Sequence, residues 1–349
     1  MQRRTFACRW LIVLALAGLA VRANAQSPSF ANSGPGAEQA RRDAFLRVHD
    51  PSTIVQDSER YWTFCTGNGV RSLWSTNLVD WHFGPPVFTP TNLPAWHRQW
   101  VPANRGHFWA PDLIHLRDRW FLYYSVSSWG KNTSAIGLAT NATLNPDDPR
   151  FGWHDAGMVV RAVPTNDFNT IDPAVSLDAD GRPWLAFGSY WSGIKLVELD
   201  PQTGLRRAPD SPLYSLASNE SIEAAYLYRQ GTNYYLFVNW GQCCRGTNST
   251  YEIRVGRSDK ITGPYRDRDG LDLLGGGGSL VLGSAGKVVG PGHAGIFTAR
   301  GTDWFSFHYY DATQRGRATL GIRKLRWDEA GWPVITGETP GGDVHVHAE

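Results

Sequence analysis

The sequence predicts an all-β chain folded as a five-bladed β-propeller. Three observations carry that expectation. Aromatic residues are dense, with 16 Trp, 13 Tyr and 15 Phe in 349 residues, and 37 Gly and 21 Pro supply frequent turns. That mixture suits short strands joined by tight connections. Five aromatic strands recur: YWTFC (61–65), WFLYY (120–124), PWLAF (183–187), YYLFV (234–238) and WFSFH (304–308). Each follows a short polar turn, and each turn follows another apolar run, as in a hairpin. Successive hairpins open 62, 60, 51 and 70 residues apart, and a period near 60 with paired strands matches a blade of four strands.

The elements follow in order. Residues 1–25 read as an export signal, with Arg3 and Arg4 ahead of the apolar run LIVLALAGLAV (11–21) and an A-x-A cleavage pattern at 23–25. That run is too short for an ordinary membrane span, and no later segment is long and apolar enough for one. Residues 26–44 form a flexible lead, 45–340 the propeller, and 341–349 a loose C-terminal tail. The first strand of each hairpin is STIV (52–55), LIHL (113–116), AVSL (174–177), AYLY (225–228) or GIFT (295–298). Outer strands are expected at VRSLW (70–74), AIGLA (135–139), GIKLV (193–197), IRVGR (253–257) and TLGIR (319–323). The GGGG run at 275–278 is a loop, since no strand-to-helix context supports phosphate binding there.

Charge and cysteine usage narrow the function. The formal charge of +2 becomes about −2 once the four arginines of the signal are removed, so nothing suggests a nucleic-acid or anionic-membrane partner. Cys65, Cys243 and Cys244 remain after the signal, an odd number, which is no disulfide framework. The adjacent pair Cys243 and Cys244 reads either as a vicinal disulfide or as two free thiols. No Cys-x-x-Cys spacing or Cys/His cluster suggests zinc.

The innermost strand of every propeller blade lines the central channel. The residues opening the five hairpins therefore converge, and they are Asp50, Asp112, Asp172, Glu223 and His293. Four carboxylates and an imidazole at one focus are costly to bury unless they pair, hold a cation or do chemistry. Glycoside cleavage needs such a set, because one carboxyl must stay protonated while another is ionised. Metal-assisted hydrolysis is the other chemistry open to these groups. A single opening histidine argues against a transition metal but not against a hard cation.

Seven motifs in order carry a family resemblance: VHDPSTI (48–54), WAPDL (109–113), NTIDPAV (169–175), FGSYWSGIKLVELD (187–200), SIEAAYLY (221–228), CCRG (243–246) and GPGHAGIF (290–297). Through them the chain resembles the family-43 glycoside hydrolases, and among them the endo-1,5-α-L-arabinanases. The resemblance implies a five-bladed propeller that hydrolyses arabinan, as in pectin side chains, with inversion. It implies Asp50 as general base, Glu223 as general acid and Asp172 as the residue that orients Glu223 and raises its pKa. It implies substrate contacts from His49, Trp109, Asp112, Trp129, Ser189 and Trp191, and a calcium or similar ion beside His293. The chain reads Glu223-Ala224-Ala225 where many relatives read Glu-Ala-Pro, which removes no chemistry.

The expected protein is thus a secreted enzyme, extracellular or periplasmic, monomeric and free of membrane once the signal is removed. An exo-acting arabinanase, an arabinofuranosidase or a xylosidase fits the same scaffold. A non-catalytic sugar-binding propeller has no need for Asp50, Asp172 and Glu223 together.

Overall fold

The computed structural model describes residues 46–347, so the expected export signal and lead lie outside the described residues. Five antiparallel sheets follow one another along the chain and form a five-bladed β-propeller. Blade I holds Val55–Asp57, Arg60–Cys65, Arg71–Ser75 and Asp80–Gly84. Blade II holds His107–Leu116, Arg119–Val126, Ser134–Asn141 and His154–Ala162. Blade III holds Ala174–Leu177, Pro183–Phe187, Ile194–Glu198 and Tyr214–Ala217. Blade IV holds Glu223–Gln230, Asn233–Trp240, Glu252–Ser258 and Ser279–Leu282. Blade V holds Val288–Ala299, Thr302–Asp311, Arg317–Trp327 and Pro333–Ile335.

The paired strands stand where the sequence places them, for instance Val55 opposite Trp62 and Ile296 opposite Phe305. The strands expected outermost are the third of four. Apart from the nine-residue His154–Ala162 of blade II, the true outer strands are short, and they carry no aromatic repeat that would mark them. The C-terminal segment departs from the loose tail expected for it. His345–His347 pairs parallel to Asp80–Gly84 on the edge of blade I, and His347 Nε2 lies 3.1 Å from Asp80 Oδ1. A strand edge with unpaired backbone groups invites such a partner.

The core sits between blades, because each twisted sheet buries its apolar faces against its neighbours. Trp62 and Phe64 of blade I pack with Leu122 and Tyr124 of blade II. Phe121 and Tyr123 of blade II pack with Leu185 and Phe187 of blade III. Phe237 of blade IV joins a large cluster that reaches Ala186 in blade III and Phe305 in blade V. Val48 and Leu73 close the circle against Leu320 and Ile322 of blade V, and Val48 N–H donates to Ala318 O at 2.9 Å. The aromatic density of the sequence is therefore largely interblade packing.

Asp112 belongs to this framework. Its Oδ1 accepts Thr53 N–H of blade I at 3.1 Å and its Oδ2 accepts Val175 N–H of blade III at 3.0 Å. Both oxygens of the expected substrate contact are thus committed to backbone, bridging three blades near the channel. Burial pushes this carboxyl up to about 6, and the N–H donors of Val175 and Thr53 oppose the rise. Asp112→Ala leaves two N–H groups without their acceptor, each costing about 1–3 kcal/mol, offset in part because no carboxyl is buried. We expect a net loss of about 2–4 kcal/mol, with a smaller loss for Asp112→Asn, read from the midpoint of urea unfolding.

Candidate active site

One residue in each blade adopts a left-handed backbone at the mouth of the innermost strand. These are Asp50 (φ 50°), Ala110 (φ 42°), Asp172 (φ 57°), Ala224 (φ 53°) and His293 (φ 62°). Non-glycine residues avoid this region, so five of them in equivalent places mark a strained ring held by its surroundings. The ring corrects the repeat register. Ala110 and Ala224, not Asp112 and Glu223, are the equivalents of Asp50, Asp172 and His293. Glu223 stands one place earlier, with His49, Trp109, Ile171 and Gly292.

The N–H of each left-handed residue is caught by a side chain of the preceding blade. Ala110 N–H donates to Thr66 Oγ1 at 2.8 Å, and Asp172 N–H to Ser125 Oγ at 2.9 Å. His293 N–H donates to Asn239 Oδ1 at 3.0 Å, and Asp50 N–H to His308 Nδ1 at 3.2 Å. Blade III has Gly188 where the others offer a side chain. A Cβ there would lie 2.5 Å from Gly193 O, so the position takes only glycine. Asp172 replaces the missing group, and its Oδ2 accepts Ala224 N–H at 3.0 Å. Thr66, Ser125, Asn239 and His308 were not singled out from the sequence. Their one signal is a polar residue at the channel end of each aromatic strand.

Three carboxylates meet in this ring under different partners. Asp50 Oδ2 accepts Thr66 Oγ1–H at 2.6 Å and lies 2.7 Å from His49 Nδ1. Its Oδ1 lies 3.6 Å from the Nδ1 atoms of both His293 and His308 and takes no closer hydrogen bond among the described residues. Burial works to raise Asp50, but the His49 imidazole, through its electrostatic attraction and its Nδ1 hydrogen bond, with smaller electrostatic contributions from the rings of His293 and His308, outweighs it and holds the group well below its ordinary value. Burial, followed by the charges of Glu223 and Asp50, pushes Asp172 well above its ordinary value. Burial brings Glu223 up to about 7, opposed by the Ser189 hydrogen bond and assisted by the charge of Asp50. The arrangement thus holds an ionised carboxylate with one free oxygen beside a carboxyl that keeps its proton up to about pH 7, as general base and general acid require.

Ser189, expected to touch substrate, donates instead to Glu223 Oε2 at 2.8 Å. The hydroxyl of buried Tyr251 reaches Glu223 Oε1, a contact the sequence reading missed. Gly292 makes room for it, since a Cβ there would lie 2.5 Å from Tyr251 Cδ2. His49 is buried and bonded to Asp50 and Tyr310. Burial lowers the pKa of both His293 and His308, so both favour the neutral form. Cys243 and Cys244 are joined as a vicinal disulfide, and Cys65 is a buried thiol. Trp109 is half-buried. Trp129 is 75% exposed and Trp191 47% exposed, on loops joining the second and third strands of blades II and III. The second strands end beside the left-handed ring, so both indoles stand on the face that carries the ring, as open stacking surfaces.

The family described as glycosyl hydrolases family 43 matches residues 45–333. The chain is 40% identical to the extracellular exo-α-(1→5)-L-arabinofuranosidase ArbA of Cellvibrio japonicus (strain Ueda107), over 82% of this chain and 86% of that protein. It is also 40% identical to the extracellular endo-α-(1→5)-L-arabinanase 1 of Bacillus subtilis (strain 168), over 82% of this chain and 87% of that protein. The solved structure of Cellvibrio cellulosa α-L-arabinanase complexed with arabinohexaose superposes with a TM-score of 0.79 at 38% identity, covering 83% of this chain and 95% of that one.

The electrostatics can be checked without substrate. Carboxyl-carbon NMR of the labelled protein should show Glu223 titrating near pH 7. In Asp50→Asn a negative neighbour is gone, so the Glu223 pKa should fall. An unchanged value would mean that burial alone sets it.

Proposed function

The chain belongs to glycosyl hydrolase family 43, and on that premise we propose that it is a secreted arabinanase cleaving internal α-1,5-L-arabinofuranosidic bonds with inversion. The observation that carries the reading is the division of labour between Asp50 and Glu223. Asp50 Oδ1, left free by the bonds to Oδ2, takes a proton from the attacking water. Glu223, protonated near neutrality, gives its proton to the leaving oxygen. Asp172 touches neither event directly. Its Oδ2 anchors the amide of Ala224, the residue after the acid, and its carboxyl shares the buried space with Glu223. Trp129 and Trp191, on adjacent blades of the catalytic face, offer stacking surfaces to a chain of furanose rings. The relatives named extracellular support export.

Endo action rests on the likeness to the Bacillus subtilis endo-arabinanase, and the equal likeness to the Cellvibrio japonicus exo-acting enzyme keeps exo action as the second reading. Early digestion of linear 1,5-arabinan should yield a spread of oligosaccharides. Release of a single short product from the first minutes would establish exo action instead. Proton NMR of the fresh products should show inverted anomeric configuration.

Each catalytic substitution, Asp50→Asn and Glu223→Gln, should lower kcat by roughly 10²–10⁴-fold with the fold intact, because each removes a proton transfer and keeps the shape. The pH profile follows in sign. Glu223 must keep its proton, so kcat/KM should fall as pH rises through about 7. Asp50 must lose its proton, so the acid limb should lie well below the ordinary carboxylate range.

The resemblance also implies calcium, and the donor chemistry fits a weakly held ion. His293 offers one ring nitrogen, and the carboxylate beside it, Asp50 Oδ1, is 3.6 Å away. So few protein ligands suit a hard cation that keeps most of its water. In the neighbouring group His49, Asp50 and His308, both His49 nitrogens are bonded and His308 Nδ1 receives the Asp50 amide, which leaves it fewer free donors. A bound cation would offset the crowded negative charge and order nearby water. Chelation should lower activity, calcium should restore it, and melting temperature should move little. His293→Ala should lose the calcium response. Full activity in demonstrably metal-free protein would remove the ion from the proposal.

A further inference from the structure

One chain of hydrogen bonds reaches the base from outside the channel. It begins at the loop joining the second and third strands of blade IV, where Cys243 and Cys244 form their disulfide. Cys244 has a left-handed backbone (φ 68°), and its N–H donates to Tyr310 Oη at 2.6 Å. Tyr310 lies on the second strand of blade V and is fully buried. Its oxygen accepts the Cys244 amide, so its own proton is available for His49 Nε2, 2.7 Å away. That donation requires an unprotonated Nε2 and hence a proton on Nδ1 in the neutral ring. Nδ1 then donates to Asp50 Oδ2 at 2.7 Å. The His308 ring stacks on His49 at 4.1 Å between centroids and holds its plane.

We propose that the Cys243–Cys244 disulfide and Tyr310 are positioning groups for catalysis, which fix the tautomer and plane of His49 and thereby aim Asp50. The inference rests on the reading of Asp50 as the base. A bond between adjacent residues restricts the peptide between them, and that restriction presents the Cys244 amide to Tyr310. His49 and Thr66 together bind Oδ2, and this leaves Oδ1 to face water. Sequence alone shows none of this, since Cys244, Tyr310 and His49 come from blades IV, V and I. Their meeting point is the seam where the propeller closes.

Tyr310→Phe keeps the ring and removes the hydroxyl. The double variant Cys243→Ser/Cys244→Ser keeps the Cys244 amide and releases the loop. Both should lower kcat on arabino-oligosaccharides by roughly 10–100-fold, the usual cost of losing a partner that orients a functional group, with KM nearly unchanged. A mainly structural role would instead lower the melting temperature or raise KM.

The decisive arm uses Asp50→Gly, which suits the left-handed backbone at that position. Sodium azide then replaces the base-activated water. Its terminal nitrogen forms the bond to the anomeric carbon with its own electron pair, the glycosidic carbon–oxygen bond breaks, and Glu223 protonates the leaving oxygen. Mass spectrometry should detect the arabinosyl azide. In this azide-rescued background neither Tyr310→Phe nor the double serine variant should cause a further loss, because the group they position is absent. A full additional loss there would overturn the positioning role while leaving the base reading intact. No change of kcat in the Asp50-containing variants would overturn it as well. Failure of azide to yield the product would remove the base reading, and the proposal with it.

Discussion

The site depends on five backbone amides that cannot be paired within their own sheets. At Asp50, Ala110, Asp172, Ala224 and His293 the chain turns left-handed, and the N–H points away from the ladder of its own blade. A buried amide must find an acceptor. Each finds one on the preceding blade, so five hydrogen bonds run once around the channel and return to their start. Three of these residues are followed by proline, at Pro51, Pro111 and Pro173, which removes a further donor from the channel wall. The interblade clusters supply the burial that tolerates this local strain, and the ring converts that packing into fixed positions for a few side chains.

Chemistry enters where the ring departs from its own rule. Blade III lacks a side chain at Gly188, and a carboxylate takes its place. Asp172 is thereby locked beside Glu223, in a space where two negative charges are unfavourable. Blade V has Gly292 in the position that Glu223 occupies in blade IV, and Tyr251 fills the vacated room to reach Glu223. Blade I keeps the regular bond but adds His49, which brings a hydrogen bond to the neighbouring carboxylate. Three carboxylates of nearly identical intrinsic acidity are separated by what surrounds them rather than by what they are.

Much of this architecture was legible in the residues. The aromatic strands and their hairpins repeat because every blade solves the same packing problem, and period and turn chemistry reveal it directly. Asp50, Asp172, Glu223 and His293 were found because a propeller brings its inner strands to one axis. The outer strands escaped notice, since the aromatic pattern that marks the inner strands fades there. The C-terminal strand His345–His347 escaped as well, because its partner Asp80–Gly84 lies at the far end of the chain.

What the sequence determined by itself is therefore the periodic part: blade number, the hairpin strands of each blade and the approximate places where the chain meets the channel. These follow from local alternation and repetition, which a linear chain displays. Only the tertiary structure decided what surrounds each carboxylate. Asp112 looked equivalent to Asp50 but sits two places past the left-handed turn, where it bridges Thr53 and Val175 instead of facing substrate. A shift of that size leaves no mark in composition, because it depends on a bulge in the ladder between Trp109 and Asp112. Likewise, Tyr251 on Glu223 and Tyr310 on His49 join residues 28 and 261 positions apart. Proton affinity is set by such neighbours at a few ångströms, and only the closed propeller brings them together.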